Sequence, residues 1–276
     1  MHVGLLTAPF RKKKTFAEIA EWAAGAGFRA LEVVSGPGGH IDPADVLKDD
    51  GAAVKKVLSD TGLEISSLAY YTLFNRGDGP EAYSKAMMDV LAAAEAVGTD
   101  CVCTLVGFPE EGKSKEKTIR ESAPPVFEPL AAEAERRGVR IAFENWFATS
   151  LQNMECFRAV AEALPQPSIG FNFDPSHLQW QGIDVQAAVE EVKDRIFHTH
   201  AKDVTISRKH LARLGCLDGG WWQYSIPGSG DVKWGEYIRT LRRVGYDGVL
   251  SIEHEDGAVG VEEGFEKGLR FLSTYI

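Results

Sequence analysis

The sequence predicts a single-domain α/β protein, a (β/α)8 TIM barrel spanning residues 1–276. Three observations predict it. Apolar, strand-like runs alternate with amphipathic helical stretches eight times, at a spacing of roughly 35 residues, as the βα units of such a barrel require. Several helical stretches stop at a glycine just before the next apolar run: Gly27, Gly62, Gly98, Gly138 and Gly245. The G-x-G-x-x-G turn of an open, doubly wound dinucleotide-binding sheet is absent after the early strands. The nearest glycine cluster, Pro227-Gly228-Ser229-Gly230, follows a long connection instead.

Taken in order, strands are expected at about 2–7, 29–34, 64–69, 101–106, 139–144, 168–174, 195–201 and 248–254. Helices are expected at 15–26, 51–61, 80–97, 122–137, 152–164, 184–192, 234–244 and 261–275. The first of them opens on Thr15 with Glu18 three residues later, a capping-box spacing. One connection breaks the regularity. Residues 204–230 are too many for a βα loop and hold Arg208, His210, Arg213, Trp221 and Trp222. That segment is expected to close over the C-terminal ends of the strands. No linker, low-complexity tract or second domain interrupts the pattern.

Hydrophobic residues make up 44% and charged residues 25% of the chain, as in soluble globular proteins. The net charge of −10 argues against a nucleic-acid partner, which requires a basic face. No apolar run reaches the ~18 residues of a membrane span. In the apolar stretch 1–10 the charges (Arg11 to Lys14) follow the run, the wrong order for a secretory signal. Cys101, Cys103, Cys156 and Cys216 form no C-x-x-C pair, and Cys101 and Cys103, two apart in a strand, read as small buried hydrophobes. A reducing cytoplasmic location fits that usage. A homo-oligomer is compatible with the sequence.

The chemistry gathers at strand ends. Four runs each deliver one donor at the C-terminal end: Glu144 after V-R-I-A-F, Asp174 after I-G-F-N-F, His200 in I-F-H-T-H, and Glu253 after G-V-L-S-I. His177 follows Asp174 across the Pro175 turn. In a barrel these ends and their loops build one mouth. Alternation places His198, His200 and Lys202 on one face, with His200 nearer the end and His198 one layer deeper. Glu32 also points inward, toward substrate or a deep arginine. Three carboxylates and an imidazole, with no thiolate, suit one divalent ion with open coordination positions: Mn²⁺ first, then Mg²⁺, Co²⁺ or Fe²⁺, with Zn²⁺ also able to bind. Lys202 either steadies negative charge on a substrate or pairs with Asp203 or another acid. Trp146, Trp221 and Trp222 are candidates to stack on the apolar face of a substrate. The basic run after the first strand reads as a solvated face rather than an anion grip.

The strand-end motifs F-E-N-W (143–146), D-P-S-H (174–177), H-x-H-x-K-D (198–203), P-G-x-G-D-x-x-W (227–234) and I-E-H-E (252–255) resemble the xylose-isomerase-like TIM-barrel superfamily. That superfamily includes sugar isomerases and epimerases, inosose dehydratases and endonuclease IV type repair enzymes. Its epimerase branch implies that Glu144, Asp174, His200 and Glu253 bind one metal, and that Glu144 and Glu253 are the catalytic acid–base pair. It implies substrate contacts from His177, with Lys202, Trp146 and Arg208 as further candidates. The implied reaction is isomerisation or epimerisation of a small carbohydrate or keto-sugar, by carboxylate-mediated proton transfer through an enediolate. The alternative is a lyase or dehydratase on an inosose or 3-keto sugar, and the third reading a non-catalytic sugar-binding barrel. The repair branch calls for extra histidines on the earlier strands. Here those strands end in Ser67-Leu-Ala-Tyr-Tyr71 and Thr104-Leu-Val-Gly107, without an imidazole.

Overall fold

A computed structural model describes residues 1–276. Eight parallel strands close into a barrel: β1 His2–Leu6, β2 Ala30–Val34, β3 Glu64–Ala69, β4 Cys101–Thr104, β5 Arg140–Glu144, β6 Ile169–Phe173, β7 Ile196–Ala201 and, after an inserted hairpin, β10 Val249–Ile252. The order around the barrel is β1-β10-β7-β6-β5-β4-β3-β2. Every expected strand is present to within one or two residues.

Helices cover the outside: α1 Phe16–Ala26, α2 Pro43–Val46, α3 Ala52–Thr61, α4 Gly79–Val97, α5 Lys115–Ser122, α6 Pro124–Arg137, α7 Met154–Ala163, α8 Pro175–Gln179 and α9 Val185–Val192. Then come α10 Arg208–Leu214, α11 Trp234–Arg243 and α12 Val261–Leu272. The helix expected at 122–137 is α6, and the short α5 just before it was not expected; Pro124 cannot continue the turn of α5 and starts α6 instead. Apolar side chains of these helices form the main core with those of the strands, for example Ile19, Leu91, Phe127, Phe157, Tyr237 and Phe265. Cys101 and Cys103 are buried in a small separate cluster with Ala142, as expected. No helix is long and apolar enough to cross a membrane.

The capping box forms: the Glu18 amide donates to Thr15 Oγ1 and the Thr15 amide donates to Glu18 Oε2. Thr15→Ala should therefore lower unfolding free energy by about 1 kcal/mol, read as a shift in denaturant midpoint at unchanged slope.

The long connection after β7 is a folded hairpin. Strands β8 (Asp203–Ile206) and β9 (Trp222–Ser225) pair antiparallel, with Val204 opposite Tyr224 and Ile206 opposite Trp222. Asp203 anchors its root. Its carboxylate accepts from the amides of Val204 (2.8 Å), Gly228 (2.9 Å), Gly230 (3.1 Å) and Val232 (3.0 Å), and from Trp234 Nε1 (2.8 Å). This explains the P-G-x-G-D-x-x-W motif: it wraps a buried carboxylate. A Cβ at Gly230 would stand 2.3 Å from Asp203 Oδ1, so the backbone approach requires glycine there.

Candidate metal centre

Inward-facing positions at the C-terminal ends of β5, β6, β7 and β10 bring the four expected donors together. Ligand atoms of Glu144, Asp174, His200 and Glu253 all lie within 4.8 Å of one another. From His200 Nδ1 the distances are 3.1 Å to Glu253 Oε2, 3.4 Å to Glu144 Oε1 and 3.9 Å to Asp174 Oδ2. Donors sharing a cation at about 2.1 Å stand about 3–4 Å apart, so the set fits one ion. Two further observations agree with that fit. Asp174 Oδ2 and His200 Nδ1 are buried without a hydrogen-bond partner, both on the face where the donors meet. Buried polar atoms rarely go unsatisfied, and an ion would satisfy both.

Local structure sets each ligand. Asp174 caps α8: its Oδ1 accepts from the Ser176 amide at 2.8 Å, leaving Oδ2 turned to the centre. Asn145 locks β5 to β6, accepting from the Asp174 amide (2.7 Å) and donating to its carbonyl (2.9 Å), which sets Glu144 beside Asp174.

Behind His200 stands Glu32. Its carboxylate lies 3.1 Å from His200 Nε2 and accepts from Tyr71 Oη (2.6 Å) and Ser251 Oγ (2.7 Å). A carboxylate on the far nitrogen fixes the ring and aims Nδ1 at the centre, an arrangement usual for metal-binding histidines. Glu32 therefore orients a histidine and meets no arginine, contrary to one expectation from sequence. Burial opposes its charge, but His200 and His198 hold its carboxyl down at about 2. His198 lies deeper, as expected, hydrogen-bonded to Asn172 Oδ1 (2.9 Å) and Ser66 Oγ (3.1 Å). Burial lowers it to about 4, so it is neutral. Burial likewise disfavours charge on Glu144, yet His200, His177 and Lys202 hold it well below the usual carboxylate value.

His177 reaches the centre on α8, with Nε2 3.3 Å from Glu144 Oε1, and Nδ1 is hydrogen-bonded to Tyr224 Oη at 2.8 Å. Lys202 is fully buried, with Nζ 2.6 Å from Glu253 Oε2, 3.0 Å from Glu255 Oε2 and 3.2 Å from Asp174 Oδ2. Its acids are therefore Glu253, Glu255 and Asp174, while Asp203 is committed to the hairpin root.

The aromatic wall differs in part from expectation. Trp222 stacks on Trp180 (centroids 4.5 Å, 12° between planes) and meets Phe147, which sits 5.9 Å from the His177 ring. Trp146 instead packs on Phe108, and Trp221 is buried with Nε1 donating to the Asp218 carbonyl. Arg208 is not brought to the centre. It opens α10, a helix with no buried residue, and its side chain is 80% exposed and paired with Asp231 at 3.5 Å. The hairpin turns that part of the connection outward.

Sequence reasoning missed Tyr71, Asn145, Asn172 and Tyr224. Asn145 was within a quoted motif, and Asn172 shares the inward parity of Asp174. Nothing local marks Tyr71 or Tyr224.

A family model described as xylose isomerase-like TIM barrel matches residues 20–275. Among curated relatives, the uncharacterized protein YfiH of Bacillus subtilis is 28% identical, with 95% of each chain covered. An inosose dehydratase of Clostridium perfringens is 24% identical over 88% of this chain and 84% of its own. Among solved structures, the IolI protein with a bound zinc atom superposes with a TM-score of 0.78 at 18% identity, covering 100% of this chain and 99% of its own. With the family model matching almost end to end, this chain belongs to the xylose isomerase-like TIM barrel family.

Proposed function

We propose that this protein is a divalent-metal-dependent isomerase or epimerase of a small keto-carbohydrate. The carrying observation is the convergence of Glu144, Asp174, His200 and Glu253, with two of their donor atoms buried and making no hydrogen bond. A bound divalent ion supplies positive charge where negative charge develops on the substrate oxygens. The chain's own groups do the rest. Glu144 and Glu253 are carboxylates on strands separated by β6 and β7 around the barrel, and one removes the proton next to the carbonyl while the other returns one. His177, its ring held by Tyr224, hydrogen-bonds a substrate hydroxyl. Phe147 and Trp222 cover one face of the sugar and exclude water.

A dehydratase on an inosose or 3-keto sugar is the second reading, favoured by the names of the dehydratase relatives. It shares the first proton abstraction and then expels a β-hydroxyl, which His177 would protonate as it leaves. Incubation in D₂O with a panel of keto-sugars and inososes separates the two. The first reading expects one solvent deuteron at the carbon next to the carbonyl and no new chromophore; the second expects ultraviolet absorbance from an unsaturated ketone. Turnover that survives complete chelation of divalent metal contradicts both.

A further inference from the structure

Lys202 is the buried lysine at the strand ends, and its charge is already taken. An ammonium has three N–H donors, and here they face Glu253 (2.6 Å), Glu255 (3.0 Å) and the Asp174–His177 side (3.2 and 3.3 Å). The Tyr224 ring covers Nζ at 4.5 Å. Glu255 is not among the four converging donors. Its side chain is 47% exposed, so it stands at the rim where an entering molecule meets it. Of the other basic residues near this end, Arg208 pairs with Asp231, while Lys115 Nζ donates to the Phe147 carbonyl and Arg11 Nε to the Gly38 carbonyl. With a divalent ion bound, that ion and Lys202 together balance Glu144, Asp174 and Glu253, and Glu255 is the carboxylate left in excess at the mouth.

We propose that Glu255 is a specificity-determining residue that makes the site refuse phosphorylated or carboxylate-bearing molecules and admit uncharged polyhydroxy ketones. The substrate class deepens the reading above and rests on it; the charge filter itself rests only on the contacts of Lys202. Like charges repel strongly at contact distances in a partly buried site, whereas hydroxyl groups meet no such penalty. A neutral ring also presents the apolar face that Phe147 and Trp222 can cover. Removing the Glu255 charge takes away the negative charge at the rim that an entering phosphate meets.

The test is tryptophan fluorescence titration of the Mn²⁺-saturated protein with myo-inositol and with myo-inositol 1-phosphate, in wild type and Glu255→Gln. The expected result is that wild type binds the neutral compound more tightly by about tenfold or more, and that Glu255→Gln tightens phosphate-ester binding by about tenfold or more at unchanged neutral affinity. Equal or tighter binding of the phosphate ester by wild type, or an unchanged ratio in the variant, overturns the proposal. If neither inositol binds, inorganic phosphate decides. Phosphate binding gained only in Glu255→Gln upholds the charge filter while removing cyclitol-shaped ketones from the proposed substrates, and phosphate behaving alike in both proteins overturns it.

Discussion

Glu253→Gln should lower turnover by about 10²–10⁴-fold, and Glu144→Gln should do the same. Each change deletes a proton-transfer group and one oxygen of the four-donor set at once. Metal affinity therefore falls alongside turnover, and equilibrium dialysis against Mn²⁺ reads that loss independently. The two defects separate at high metal. Saturating Mn²⁺ restores occupancy of the centre but cannot restore a missing base, so activity should stay low. Full recovery of turnover at saturating metal would assign both residues to metal binding alone. The fold should survive either change, because Gln fills the same volume, keeps an oxygen that can accept from Lys202 at position 253, and leaves the backbone ladder of the barrel untouched.

Asp203→Ala should cost roughly 3–5 kcal/mol of stability, the largest effect expected outside the centre. The lost carboxylate leaves four backbone amides and the Trp234 indole without their acceptor, in a place water does not reach. The damage should also reach the mouth, since the hairpin rooted there carries Trp222 and Tyr224. Urea denaturation gives the first effect. Faster amide exchange in β8 and β9 than in β10 gives the second. A variant with a near wild-type midpoint would mean that the P-G-x-G-D-x-x-W motif has a role other than anchoring.

The barrel was legible because each of its units repeats one pattern, an apolar run, a turn, an amphipathic stretch and a closing glycine. The four donors were legible for a related reason. A strand end is where an inward side chain leaves the packed core, so an acid or imidazole there needs an explanation other than packing. Arg208 was misplaced because alternation fixes orientation only within a strand. Past the strand end the chain direction depends on the hairpin, whose paired runs are four residues each and lie 15 residues apart, with no short turn between them to announce pairing. Glu32 shows the other limit. Its inward direction followed from parity, but its partner His200 lies 168 residues away, and only the closed barrel reveals that the carboxylate orients the imidazole. Glu255 lies in the loop just beyond its strand. Its contact with Lys202 depends on how far a long side chain reaches back, which spacing does not encode.

The central claim is that four side chains from four strands hold one divalent cation. A crystal grown with Mn²⁺ and measured at a wavelength where manganese scatters anomalously tests it most directly. The account predicts a single strong anomalous peak, about 2.1–2.3 Å from Glu144, Asp174, His200 Nδ1 and Glu253, that weakens in Asp174→Asn crystals soaked at the same limiting Mn²⁺ concentration. A wild-type mouth with no peak, or a peak of undiminished height without the Asp174 carboxylate, would contradict it.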